Sequence, residues 1–185
     1  LKLYDCCPFS DGAAAVVLAS EEIARRTRKP VWVLGSAQAG DSMCLHDKAD
    51  LSRAVATERA ALAAYRQAGL SPQDVDVVEL HDCFTIAEIV ATEGLGLCEA
   101  GTGGIAAEKG ETSLGGRIPV NVSGGLKAKG HPIGATGAAQ VVEVATQLRG
   151  EADRRQVDGA EIGLTHTLGG NTASVLVSLF GRESR

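Results

Sequence analysis

Apolar residues fall along this chain in two rhythms, short unbroken runs and longer stretches spaced three and four apart. Leu51 to Ala68 is Ala-rich and closes at Gly69, which predicts a helix ended by a left-handed cap. Ala138, Val141, Val142, Ala145 and Leu148 recur at helical spacing, as do Ile86, Ile89, Val90 and Leu95. The runs Ala13–Ala19, Val75–Leu80, Arg117–Val122, Ala160–Thr167 and Ser174–Phe180 predict strands, and Val31-Trp32-Val33-Leu34-Gly35 begins another after Pro30. The last two runs pair as a hairpin around Gly169-Gly170-Asn171. Ser20 caps a short helix to about Arg28 with acids in its first turn, and Ser71-Pro72-Gln73-Asp74 is a single capped turn. A polar loop spans Gly40 to Asp50, and Gly94 to Gly116 is a long Gly-rich connection of the kind that is usually functional or mobile. Strands alternating with helices indicate an α/β architecture with a mixed sheet and right-handed crossovers where strands are parallel.

Composition narrows this picture. With 44% hydrophobic residues and 22% charged in 185, the chain buries a real core, but 3% aromatics make that core aliphatic and Ala, which suits helices packed closely on a sheet. A net charge of -5 and a pI near 5.4 argue against a nucleic-acid surface. No apolar run approaches the roughly 20 residues that span a bilayer, and no signal-peptide pattern opens the chain. Five Cys at irregular spacing fit reduced thiols and a cytoplasmic setting. The opening Leu1 to Gly12 reads as a loop entered in mid-course, so the chain looks like part of a longer polypeptide.

The chemistry concentrates at Asn121 to Gly137, where His131-Pro132 stands among glycines as a strand hands over to a helix. At a helix entrance, unpaired amides and the positive dipole end favour a neutral imidazole, suited to a base or an oxyanion donor. A His that merely caps or packs in a Gly-rich connection stays open as the alternative. Gly125 to Gly130 has P-loop glycine spacing, but His131-Pro132 stands where Lys and Ser or Thr belong, and no dinucleotide fingerprint follows a first strand. Cys44, His46, His81, Cys83 and Cys98 show no spacing of a closed zinc site, so no metal is assigned. Cys6 and Cys7 are adjacent and read as small core or loop residues. Cys83 follows a strand and precedes a helix whose dipole lowers a thiol pKa; it is either a proton carrier or an inert buried thiol. His81 is likewise open to an interior role, bonded to Asp82 or to backbone; His166 leans further towards such a role, and His46 is a loop residue. In open α/β sheets ligands gather beyond the strands' carboxyl ends, and His81-Cys83, His131 and His166-Thr167 all fall at such ends.

Ser10-Asp11-Gly12-Ala13-Ala14-Ala15, His81-Asp82-Cys83-Phe84, Asn121-Val122-Ser123-Gly124-Gly125, Gly130-His131-Pro132-Ile133-Gly134-Ala135 and the Gly169-Gly170 hairpin together resemble the thiolases, most closely their sterol-carrier-protein-type and archaeal branch. The resemblance runs nearly end to end and implies a thiolase-like layered fold with helices on both faces of the mixed sheet. Residues 1–29 would end the N-terminal domain and 30–185 would form the C-terminal domain. It implies an acyl-CoA acyltransferase that condenses or thiolyses 3-ketoacyl-CoA, with coenzyme A thioesters as substrates and no tightly bound cofactor. In that reading His131 activates the nucleophile, Cys83 moves the α-carbon proton, His81 helps build the oxyanion site, backbone N–H near Gly169 serves the second oxyanion, and Phe84 and Pro132 contact the CoA thioester. Thr165-His166-Thr167-Leu168-Gly169 carries Thr where most thiolases have a C-x-G Cys, and in this branch Cys83 inherits that role. Neither Cys6 nor Cys7 matches the family's nucleophile, which belongs to an N-terminal half on the same or a separate chain. Implied partners are that half, acyl-CoA, further copies in a homo-oligomer, and, in archaeal-type members, an OB-fold accessory protein and hydroxymethylglutaryl-CoA synthase. Two rivals share the fold: a non-catalytic binding or scaffolding subunit, and a ketoacyl synthase, whose pattern lacks H-D-C-F.

Overall fold

The apolar runs meet in one sheet. In the computed structural model, which describes residues 1–184, β1 (Trp32–Gly40), β2 (Val77–Leu80), β3 (Ile162–Gly169) and β4 (Ser174–Gly181) lie in the order β1-β4-β3-β2. β3 and β4 form the expected antiparallel hairpin, β4 pairs antiparallel with β1, and β2 runs parallel to β3. The sheet is therefore mixed, and β1, β2 and β3 all end at the same end of it.

Helices cover both faces. α2 (Val55–Ala68) lies on β1 and β4, and α6 (Thr136–Arg149) lies on β2 and β3. α2 turns Ala56, Ala60, Ala61, Ala64 and Ala68 inward, and these meet Val78, Leu80, Leu164, Val175, Val177 and Leu179 in the larger core. Small side chains let the helix axis approach the sheet, as the scarcity of aromatics foretold. On the opposite face Val144 and Leu148 of α6 pack with Val77, Ala160 and Phe180. Both long helices stop at a left-handed glycine: Gly69 at φ 65° and Gly150 at φ 70°, each followed by a backbone bond back into the last turn. Among the described residues, no helix is long and apolar enough to cross a membrane.

Several expectations change. Ala13–Ala19 forms no strand, and Val17 and Leu18 are 93% and 81% exposed. An apolar run becomes a strand only by pairing, and this one has no ladder among the described residues. Arg117–Val122 makes only one parallel bridge, Val78 to Val120, because Pro119 offers a carbonyl to Val78 N–H but no donor, and Asn121 at φ 51° turns the chain away. The Ser20 hydroxyl makes no capping bond, and the first helix shortens to α1 (Glu21–Ala24). β1 runs on through residues expected to be loop, and α2 starts four residues later than its composition suggested. α3 (Thr85–Gly94) follows β2 as expected, and the long connection after it contains α4 (Gly103–Glu108).

Overpacking tests the close contact of α2. Ala60→Leu is expected to cost about 1–3 kcal/mol in urea unfolding. Leu62→Ala on the same helix, at a side chain 51% exposed, should stay within about 0.5 kcal/mol. Equal effects would contradict the assigned faces.

Candidate active site

Three chain segments converge where β2 and β3 end. His81, Asp82 and Cys83 leave β2, directly beside the register pair Leu80–His166. A short helix, α5 (Gly125–Lys129), then leads to His131, which lies between α5 and α6 rather than in the first turn of the long helix. Gly130, at φ 91°, ends α5, so the imidazole is placed by side-chain and backbone bonds and not by a helix terminus. His131 N–H donates to Pro8 O at 2.9 Å, and its ring stacks on Phe9 with centroids 6.3 Å apart.

The ring's tautomer follows from its partner. His131 Nδ1 lies 2.8 Å from Thr136 Oγ1, whose own proton goes to Pro132 O at 3.1 Å. The hydroxyl therefore accepts from Nδ1–H, which leaves Nε2 with the free lone pair. His81 meets His131 edge to face, centroids 4.9 Å apart and planes at 88°. Burial, and then the neighbouring His131, push His81 down to about 4, so it is neutral at physiological pH; burial also lowers His131. His166 lies fully buried behind them, its Nε2 3.0 Å from Thr57 Oγ1, and burial takes it down to about 3. Nδ1 of His81 and Nδ1 of His166 are both buried without a hydrogen-bond partner among the described residues.

Asp82 holds the two motifs together. Its buried carboxylate accepts Leu126 N–H at 2.7 Å and Lys127 N–H at 3.3 Å, which also explains Gly125: a Cβ there would overlap the carboxylate. Around it, Asn121 Oδ1 accepts Leu80 N–H at 2.8 Å, and buried Glu79 accepts from Ser123 Oγ at 2.7 Å and pairs with Lys129 at 3.4 Å. Sequence reading singled out neither Thr136 nor Asp82 as positioning groups. A hydroxyl five residues after the His, and an acid inside H-D-C-F, were the available signals.

Cys83 stands ahead of the cap of α3, which begins at Thr85, and its thiol is pushed up, chiefly by burial and next by Cys7. It is therefore a thiol, not a resident thiolate, at neutral pH. Cys83, His81, His131, Phe84 and Gly169 all line one cleft of about 850 Å³, with Leu45, Leu51, Ile86 and Ile133 making much of its wall apolar. Cys6 and Cys7, which read as small core or loop residues, line it too. Pro132 lines a neighbouring hollow with Ser10–Ala14 and packs against Gly12. The cations of the cleft are already paired, Lys48 with Asp41 at 2.7 Å and Arg53 with Glu58 at 2.9 Å. A hollow of about 830 Å³ near Trp32 is as large but holds neither His nor Cys. Cys44, His46 and Asp47 bring possible ligand atoms within 4.8 Å of one another, all exposed.

Known proteins place this arrangement. The family profile described as Thiolase C-terminal domain-like matches residues 37–182. The chain belongs to the thiolase C-terminal domain family. It is 55% identical to an acetyl-CoA acetyltransferase of Methanothermobacter thermautotrophicus over 98% of its length and 48% of the relative's. It is 44% identical to sterol carrier protein 2 of Oryctolagus cuniculus over 95% of its length and 33% of the relative's. The chain thus spans a third to a half of these relatives. A solved structure titled Ltp2-ChsH2(DUF35) aldolase superposes with a TM-score of 0.85 over the whole chain and 48% of that structure's chain, at 24% identity, a likeness of fold. The thiolase-like layered fold, with its mixed sheet covered on both faces, is as the sequence led one to expect.

Neutral buried imidazoles set an acid limit on stability. Below about pH 6.5 the unfolded chain binds protons that folded His81 and His166 take up only near 4 and 3, so stability falls as pH drops through that window. Each imidazole contributes a slope of about 1.4 kcal/mol per pH unit at most. His166→Gln should unfold less steeply with acid between pH 6 and 4 than the parent; identical slopes would contradict the burial assignment.

Proposed function

We propose that this thiolase domain supplies the acid–base and oxyanion groups of an acyl-CoA acyltransferase acting on 3-ketoacyl-CoA thioesters. The observation that carries this reading is the edge-to-face pair His81–His131, opening with Cys83 into one cleft at the strands' carboxyl ends. Residues 1–29 are assigned to the end of the N-terminal domain and 30–185 to the C-terminal domain. The acyl-accepting nucleophile is assigned to a thiolase N-terminal half, on the same or a separate polypeptide, and further copies or an accessory chain are its proposed partners.

Each residue's state fits its role. His131, with its proton held on Nδ1 by Thr136, presents Nε2 to take the nucleophile's proton. Neutral His81 donates a hydrogen bond to the thioester oxygen as enolate charge develops there, and a donor of this kind is worth about 3 kcal/mol. Cys83 holds a proton at neutral pH. In thiolysis it gives that proton to the enolate carbon of the departing acyl-CoA, and the thiolate left behind takes the proton of the incoming CoA thiol. In condensation the same steps run backwards. Backbone N–H at Gly169, which lines the same cleft at the end of β3, is assigned to the tetrahedral oxyanion.

With the N-terminal half restored, CoA-dependent thiolysis is expected, and Cys83→Ala or His131→Ala should each lower kcat at least about a hundredfold. Near-normal turnover in either variant would remove that residue from the mechanism.

A further inference from the structure

The leading segment runs beside the H-D-C-F motif as a short antiparallel partner. Cys6 forms an antiparallel bridge with Phe84, and the next step of that register sets Cys7 opposite Cys83, where Cys7 N–H donates to Cys83 O at 3.0 Å. Residues opposed in this way project to the same face with Cα atoms about 5.5 Å apart, inside the roughly 4.4–6.8 Å that a disulfide spans. Both thiols are free, half-buried, and line the same cleft. The segment is also pinned: Lys127 Nζ donates to Cys6 O at 3.0 Å and to Tyr4 O, and Pro8 O accepts His131 N–H. Cys6 faces Phe84 in this register and has no such opposed thiol.

We propose that Cys7 and Cys83 are a dithiol that closes to a reversible disulfide and so removes the proton-carrying thiol from the cleft. The oxidant is a low-molecular-weight disulfide. One protein thiolate attacks it and expels one small thiolate, giving a mixed disulfide; the other protein thiolate attacks the protein sulfur of that bond and expels the second. Two protein S–H groups and one small disulfide thus become one protein disulfide and two small thiols, which carry away both protons. Burial holds both thiols above their ordinary range, so closure accelerates as pH rises from 7 towards 9. Bond formation stands on the geometry alone, whereas the loss of turnover rests on the acid–base role proposed for Cys83.

The test begins with the reduced chain, incubated with oxidised glutathione at pH 8.5, then denatured, alkylated, weighed and peptide-mapped. The expected result is loss of two hydrogens, three alkylated Cys, and a Cys7–Cys83 linked peptide. Cys6→Ser should still form it, whereas Cys7→Ser should stop at a glutathione adduct on Cys83. Five alkylated Cys, a different linked pair, or two hydrogens lost from Cys7→Ser would overturn the pairing. In the assembly with the N-terminal half, oxidation should abolish thiolysis, dithiothreitol should restore it, and whatever turnover Cys7→Ser has should resist oxidation. A closed Cys7–Cys83 bond with undiminished turnover would overturn the role of Cys83 and not the pairing.

Discussion

Asp82 sits where two loops that are distant in sequence must act as one surface. Its carboxylate is buried beside β2 and accepts the N–H groups of Leu126 and Lys127 at the start of α5. A carboxylate out of water is costly unless its lone pairs are filled, so the contact is strongly specified: loss of either loop's geometry leaves a buried acid unpaired. Burial nonetheless raises Asp82, an effect that the amide bonds only partly offset. The clamp fixes the start of α5 against the end of β2. His131 follows α5 within two residues of Lys129, and the edge-to-face contact with His81, one residue before Asp82, is the consequence.

The second constraint is dryness. Leu80, Leu126 and Leu164 are fully buried, and the imidazoles beside them pay for that exclusion of water by staying neutral. Neutral imidazoles and an undissociated thiol are what enolate chemistry uses, because each can move or share a proton without first surrendering a charge. The same burial destabilises the fold in acid and slows the cysteines as nucleophiles. Stability, redox behaviour and catalysis thus depend on one physical cause.

Much of the fold was legible in the chain. Ala-rich α2 and its stop at Gly69, the β3–β4 hairpin and the buried run of β2 are local signals, set by spacing, caps and turns. Ala13–Ala19 and Arg117–Val122 were misread because a strand is a property of a pair, and neither segment's pairing is written in its own residues. The convergence of His81, Cys83 and His131 could be inferred from their places at strand ends. What could not be inferred was their state. The tautomer of His131 depends on a hydroxyl five residues away, and the thiol of Cys83 on burial and on Cys7, which lies far off in sequence. Cys7 reads in the sequence as a core or loop residue, and only the register of the leading segment sets it opposite Cys83.

His81 and His131 form a neutral pair, with the His131 proton on Nδ1. Nitrogen-15 and proton NMR of the imidazoles, recorded from pH 7.5 to 4.5, reads both protonation and tautomer directly. A His131 resonance protonated at Nδ1 and bare at Nε2 at pH 7, titrating below 6.5, is expected, together with a His81 still neutral at pH 5. A His131 protonated at Nε2 instead, or a His81 already charged at pH 6, would contradict it.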